Sequence, residues 1–111
     1  RAAYDWSCEL TIYLDPSARR HGLGRKLYEG LEVRLKEMGI QNLYACIGVP
    51  EAEDEFLTNN SADFHRHMGF SEVGKFYKCG RKFGRWYHMV WMEKIIGEHP
   101  SGPEPVKPYC Y

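Results

Sequence analysis

Apolar and polar residues alternate from position 6 to position 14, with Trp6, Cys8, Leu10, Ile12 and Leu14 on one side and Ser7, Glu9, Thr11 and Tyr13 on the other. A period of two belongs to a strand with one face buried and the other turned to something polar. Asp15, Pro16 and Ser17 break it, because proline cannot donate to a strand ladder and biases its predecessor away from helix. The period then changes. Leu27, Leu31, Leu35 and Met38 recur at spacings of four, four and three between Lys, Glu and Arg, which predicts an amphipathic helix with its C-cap at Gly39. Residues 42–50 form a nearly continuous apolar run. With a helix between it and the first strand, the simplest topology is a right-handed crossover that leaves the two strands parallel and both faces of the second covered. A second helix is signalled by the N-cap types Asn59, Asn60 and Ser61, by Phe64 and Met68 four apart, and by Gly69 as its closing glycine. Residues 71–78 and 86–95 are rich in Val, Phe, Tyr, Trp and Met and predict two strands joined by a basic hairpin loop over 79–85. Beyond Gly97, the prolines at 100, 103, 105 and 108 exclude regular structure. The expectation is an α/β domain over residues 1–96, ordered strand-helix-strand-helix-strand-strand, with an extended proline-rich tail over 97–111. The tail reads as disordered, or as docking Tyr109, Cys110 and Tyr111 on a neighbouring subunit.

Composition narrows the class. The 111 residues suffice for one domain. Fifteen basic and fifteen acidic side chains cancel, so net charge exerts no pull toward nucleic acid or a membrane surface; the positive charge is local, at 19–26 and 75–85. No run reaches the roughly 20 apolar residues of a membrane-spanning helix, and no signal-peptide pattern is present. Cys8, Cys46, Cys79 and Cys110 lie far apart, with no C-x-x-C pair and no histidine at zinc spacing, so no metal is expected. Three of them fall in apolar or mixed strand-like segments and read as buried thiols of a cytoplasmic protein. The chain opens on Arg1 and enters a strand almost at once, which reads as a fragment or a processed chain.

The candidate chemistry lies between the first strand and the first helix. The first amides of a helix lack intrahelical partners, and the helix dipole places about half a positive charge there. Gly22 and Gly24 carry no Cβ to keep a ligand from those amides, and Arg19, Arg20, His21, Arg25 and Lys26 crowd the same spot. The expected guest is a phosphate. A Walker loop would need Ser or Thr after Gly-Lys, where this chain has Arg25, Lys26 and Leu27; a dinucleotide fingerprint would need glycine where Leu27 stands. Glu9 is a carboxylate on the polar face of the strand leading into this loop. The acidic residues at 51–55 read as a solvated loop, or as a lure for a cationic amine. His67 and His88 read as surface or structural.

A strand followed by Arg19, Gly22 and Gly24 in an Arg-x-x-Gly-x-Gly pattern and then a helix resembles the acyl-CoA pyrophosphate loop of the GNAT superfamily of N-acetyltransferases. Residues 60–70, a short helix ending in Gly69-Phe70, resemble the superfamily's segment beside the CoA thiol. Residues 3–9, 20–24, 47–50, Phe64-His65 and 84–87 resemble in order the phosphinothricin and methionine-derivative acetyltransferases, including their proline-rich tail. The likeness covers the C-terminal part of that family, without its early strands and helices, which help to build the acceptor pocket.

The resemblance implies a GNAT-like mixed sheet and transfer of an acetyl group from acetyl-CoA to the amine of a small amino-acid-like acceptor. Glu9 matches the catalytic glutamate. His65 stands where many GNAT enzymes carry a tyrosine that protonates the departing thiolate, and imidazole can transfer protons near neutral pH. The CoA-contacting asparagine falls on Asn60, with Asn59 as the alternative. Backbone groups of Ile12, Tyr13 and Leu14 would polarise the thioester and pair with the pantetheine arm, and Arg19, Arg20, His21, Gly22, Leu23, Gly24 and Arg25 would hold the phosphates. An exposed half-sheet implies a homodimer or association with the missing N-terminal segment. Two other readings stand beside this one: a CoA-binding module without turnover, and a protein N-terminal or lysine acetyltransferase. Arg20→Ala is expected to weaken CoA binding and make it less salt-sensitive. An equal loss for CoA and for dephosphorylated pantetheine, measured by calorimetry, would refute the phosphate assignment.

Overall fold

The structure, a computed structural model, describes residues 2–10, 22–50 and 60–108. The end of the first predicted strand, the Asp15–Ser17 break, residues 19–21, the acidic run at 51–55, Asn59 and the terminal Tyr109, Cys110 and Tyr111 lie outside them. The chain divides into two compact units: Arg1–Leu43 with Ile95–Tyr111, and Tyr44–Lys94.

The first unit holds a 3-10 turn at Ala2–Tyr4, strand β1 (Ser7–Glu9), helix α1 (Leu23–Met38) and the start of strand β2 (Asn42–Pro50). Helix α1 stops where the spacing predicts. Gly39 takes φ 98°, its N–H bonds to the Lys36 carbonyl at 3.1 Å, and the Ile40 N–H reaches back to the Leu35 carbonyl at 3.0 Å. This is a Schellman closure, and the buried Ile40 is its apolar residue beyond the glycine. The buried face of α1 differs from the leucine stripe. Gly24 and Tyr28 are buried, while Leu27 and Leu31 are 41% and 39% exposed. The helix is thus turned by about one residue from the face that periodicity selects, since spacing fixes a stripe but not which edge of it meets the core.

The proline-rich segment has no helix or strand after Ile95, yet it is held by named bonds. Gln41 is the hub. Its carbonyl accepts the Ile96 and Gly97 amides at 2.8 and 3.1 Å, its side-chain oxygen accepts the His99 amide at 2.9 Å, and its own amide donates to the Trp6 carbonyl at 2.8 Å. Further on, the Trp6 indole donates to the Glu104 carbonyl at 2.9 Å, and the Lys107 amide donates to the Met38 carbonyl at the end of α1, also at 2.9 Å. Disorder is therefore not the state of residues 97–108: they strap the first unit.

The second unit contains most of β2, helix α2 (Asn60–His67), strand β3 (Ser71–Lys82) and nearly all of strand β4 (Arg85–Ile95). The strand order is β1-β2-β4-β3, giving the expected mixed α/β arrangement of four strands and two helices. Leu43, Ala45, Ile47 and Val49 of β2 are buried with the alternation of a strand, and the residues between them are half-buried apart from exposed Gly48. Tyr87, Val90 and Met92 supply the core side of β4.

The hairpin between β3 and β4 is shorter than expected. Instead of a loop over 79–85, the strands pair antiparallel out to Lys82 and Arg85 around a two-residue turn, with Phe83 at φ 55° and Gly84 at φ 71°. Positive φ at both positions is what a type I′ turn needs, and it matches the twist of the flanking strands. The irregularity moves inward: between the Phe76–Met89 and Gly80–Tyr87 pairs, residues 77–79 face only His88. Lys78 takes φ 49° there, and its amide donates to His88 Nδ1 at 2.9 Å. The buried His88 thereby accepts the amide of a bulge residue. Cys8, Cys46 and Cys79 form no disulfide; Cys8 and Cys46 are half-buried, while Cys79 is exposed, like nearly all of β3, contrary to its expected burial.

Two glycines of α1 should respond in opposite directions. A Cβ at either Gly30 or Gly39 meets nothing within 4 Å, so conformation decides. Gly39→Ala, forced into the left-handed region, is expected to cost about 1–2 kcal/mol. Gly30→Ala, inside the helix, should gain about 0.8 kcal/mol. Urea unfolding of the two variants checks both signs.

Candidate active site

At the start of α1, Gly22 sits at the N-cap with φ 73°, a left-handed conformation that favours glycine, and no side chain caps the helix. Among the described residues, chain neighbours aside, no atom lies within 4 Å of where a Cβ at Gly22 would be. No acidic residue occupies the first turn. Among the described residues, the first amides of α1 therefore have neither a side-chain acceptor at the cap nor a first-turn carboxylate, the condition for accepting an external anion. Arg25, in this first turn, has its guanidinium 3.4 Å from Glu29 along an exposed helix face. Leu23 and Gly24 form part of the same turn, and Gly24 is buried. Ile12, Tyr13, Leu14, Arg19, Arg20 and His21 lie outside the described residues.

Glu9 ends β1 with its side chain exposed, while the next residue, Leu10, is buried. Sequence alternation thus places the Glu9 carboxylate on the open side. Burial, and secondarily the charge of Glu9, push the neighbouring Cys8 thiol pKa up, which makes that thiol a poor nucleophile at neutral pH.

His65 is set by the closure of α2. Gly69 takes φ 95°, its amide bonds to the Arg66 carbonyl at 3.0 Å, and the Phe70 amide bonds to the His65 carbonyl at 2.9 Å. This second Schellman closure brings buried Phe70 edge-on to the His65 ring at 5.3 Å, with Phe64 edge-on at 5.5 Å. Lys94 adds a bond to the Met68 carbonyl at 2.7 Å. The His65 ring is buried, and its Nδ1 lies 2.7 Å from the Ser61 carbonyl. A carbonyl only accepts, so Nδ1 carries the proton and Nε2 presents a lone pair in the neutral ring. Burial lowers the His65 pKa from 6.5, and the bond to Ser61 acts more weakly in the opposite direction. Asn60 is the first residue of α2. Glu9 and the 22–25 turn belong to the first unit, and Asn60 and His65 to the second.

Residues 1–91 match the family described as acetyltransferase (GNAT) domain. The chain belongs to the GNAT acetyltransferase family. This GNAT chain is 32% identical over 108 residues to a phosphinothricin N-acetyltransferase of Streptomyces viridochromogenes, an alignment covering 97% of the chain and 55% of that relative. It is 30% identical over 95 residues to an L-methionine sulfoximine/L-methionine sulfone acetyltransferase of Pseudomonas paraeruginosa, covering 86% and 51%. Among solved structures, it is similar to a GNAT superfamily phosphinothricin acetyltransferase from Sinorhizobium meliloti in complex with AcCoA, with a TM-score of 0.75 and 28% identity over 98% of this chain and 54% of that one. The chain spans about half the length of the curated relatives it matches.

Sequence reasoning singled out His65 as a candidate but did not show what holds its ring. The Ser61 carbonyl four residues earlier and the ring of Phe70 become its partners only once the helix forms and closes. The helical i−4 spacing and the Gly-Phe ending are the signals from which both can be read. The bond from the Lys78 amide to His88 leaves no such signal, because it depends on cross-strand register.

The His65 ring should titrate below 6.5 with its neutral form protonated at Nδ1, which ¹⁵N-resolved NMR of the imidazole tests directly. Because the folded state resists protonation, the unfolded chain binds more protons as pH falls through about 6.5, so stability should decline below that pH. The decline should be smaller in His65→Gln, measured as urea midpoint against pH.

Proposed function

We propose that this chain forms the acetyl-CoA half of an N-acetyltransferase that acetylates the amine of a small amino-acid-like acceptor. The observation that carries this reading is the start of α1, where a left-handed glycine opens the helix and, among the described residues, there is no side-chain cap, no first-turn carboxylate and, chain neighbours aside, no atom within 4 Å of its missing Cβ. The residues at this turn suit a diphosphate: Gly22, Leu23 and Gly24 offer backbone amides, and Arg25 offers positive charge. Arg19, Arg20 and His21 stand before them in the sequence. Asn60, at the start of α2, and the backbone of residues 12–14 complete the cofactor contacts in this reading. Similarity to phosphinothricin and methionine-derivative acetyltransferases supports the acceptor class.

The co-substrate supplies an acetyl thioester. An aliphatic amine is protonated at pH 7 and must lose a proton before it attacks, so a base is required. Glu9 takes that proton, directly or through one water. The amine nitrogen bonds to the acetyl carbon, the carbon–sulfur bond breaks, and the sulfur leaves as thiolate. His65, neutral at pH 7, takes up at Nε2 the further proton that the newly acylated nitrogen must shed and passes it to the departing sulfur, while Ser61 and the flanking phenylalanines hold the ring. No metal takes part. The protein works in the cytoplasm as a homodimer or joined to the segment that completes the domain. The exposure of Leu23, Leu27 and Leu31 along α1 favours such an association.

The half-length match to its relatives favours one other reading, a CoA-binding module without turnover. A thiol-release assay across a library of amines, run on the full-length protein, separates the two. Glu9→Gln is expected to keep CoA affinity while kcat falls at least 100-fold at neutral pH. An unchanged kcat would remove Glu9 from its role, and CoA binding without thiol release for any amine would favour the module.

A further inference from the structure

Lys94 lies in β4 beside Glu93, which pairs with Ser71 at the start of β3. From there its side chain reaches over the residues that join α2 to β3. The ammonium donates to the Met68 carbonyl at 2.7 Å, and the stem crosses the open face of Gly69. A Cβ at Gly69 would lie 3.1 Å from Lys94 Cε and 3.3 Å from Nζ, closer than side chains normally pack. Glycine at this position thus meets two needs, a φ of 95° and room for the lysine. Lys94 is half-buried rather than extended into solvent, and all of these residues belong to the second unit.

The carbonyl that Lys94 takes lies between two amides bound to His65. The amides of Met68 and Phe70 both donate to the His65 carbonyl, at 3.1 and 2.9 Å, and the Phe70 ring meets the imidazole edge-on at 5.3 Å. Holding the Met68–Gly69 peptide therefore holds Phe70 against His65. Helix α2 has 8 residues, fewer than the roughly 12–15 that an isolated helix needs, so its end is fixed by what packs on it. A lysine ammonium suits that end, because it satisfies a terminal carbonyl and opposes the negative pole of the helix dipole. Its bond is charge-assisted, and so stronger than a neutral one. The single bond from Nδ1 to Ser61 sets the tautomer of His65, while the rings packed on the imidazole set where Nε2 points.

We infer that Lys94 is a positioning residue for the acetyl transfer: by holding the Met68–Gly69 peptide it keeps Phe70 against the His65 ring and so fixes the direction of the Nε2 lone pair. This rests on the proton-transfer role proposed above for His65. Lys94 acts only through the end of α2, and its contribution is to hold a proton-transferring group in one geometry, on which rate depends steeply.

Lys94→Met in the full-length protein keeps most of the stem and removes the ammonium. NMR of the cofactor-free protein reads the ring through the His65 nitrogen resonances and the nuclear Overhauser contact between His65 and Phe70; thiol release reads turnover. The contact should weaken and the resonances broaden or split, while kcat falls about tenfold and KM for acetyl-CoA stays within about twofold. If Lys94→Met alters the circular dichroism spectrum, Lys94→Gln, whose shorter side chain falls short of the Met68 carbonyl, is read by the same criteria. Unchanged resonances and an unchanged His65–Phe70 contact would overturn the inference whatever happens to turnover, since a lysine that only stabilises the fold would lower the urea midpoint without moving the ring. A displaced ring with kcat intact would also overturn it, provided that His65→Gln lowers kcat. If His65→Gln leaves kcat intact as well, the proton-transfer role of His65 is what fails, and the hold of Lys94 on the ring stands.

Discussion

Every α-helix ends in backbone groups that its own ladder cannot satisfy, and the way each end is met organises this chain. Both C-termini are closed from within. At α1, Gly39 and Ile40 complete the turn, and the Lys107 amide takes the Met38 carbonyl. At α2, Gly69 and Phe70 do the same, and Lys94 takes the Met68 carbonyl. The N-terminus of α1 is treated differently, with a left-handed glycine and no side-chain cap. Among the described residues, side chains and distant segments satisfy the carbonyls at both C-termini, while no such cap meets the first amides of α1, the arrangement on which the proposed phosphate site rests.

The two closures also have consequences beyond the helices they end. Closing α2 with glycine and then phenylalanine presses an apolar ring against His65 and buries it, while the same helix turns the Ser61 carbonyl onto Nδ1. Burial and tautomer together produce a neutral imidazole whose remaining nitrogen is an acceptor, a state suited to moving protons at neutral pH. Closing α1 starts a turn whose next residue, Gln41, gathers β1 and the proline-rich segment. The segment is held although it contains no helix or strand, because its amides and those of its neighbours find partners one by one.

The β3–β4 hairpin shows a trade between regularity and exposure. Pairing continues to Lys82 and Arg85 because Phe83 and Gly84 form a tight turn, and the irregularity falls at residues 77–79 instead, at the end of the expected strand. Within the bulge, the Lys78 amide donates to His88 Nδ1. Lysines along an outer strand protect it from pairing with other strands, and the same lysines, set beside exposed rings, make the hairpin a basic face of a neutral protein.

Much of this was legible in the residues themselves. Period two up to Leu10, period 3.6 along α1, the apolar run of β2 and the glycines at 39 and 69 gave the elements, their order and their ends, because these are local properties of spacing and backbone preference. The Gly22–Gly24 turn and the Gly69-Phe70 ending carried the family likeness for the same reason. What sequence left open depended on partners distant along the chain: that α1 buries Tyr28 more deeply than Leu27 or Leu31, that residues 97–108 are strapped through Gln41 and Trp6, and that the hairpin slips its register around His88. A residue's own chemistry fixes its preferred conformation, but which neighbour satisfies its hydrogen bonds is settled only when separate segments meet, and tertiary structure alone decides that.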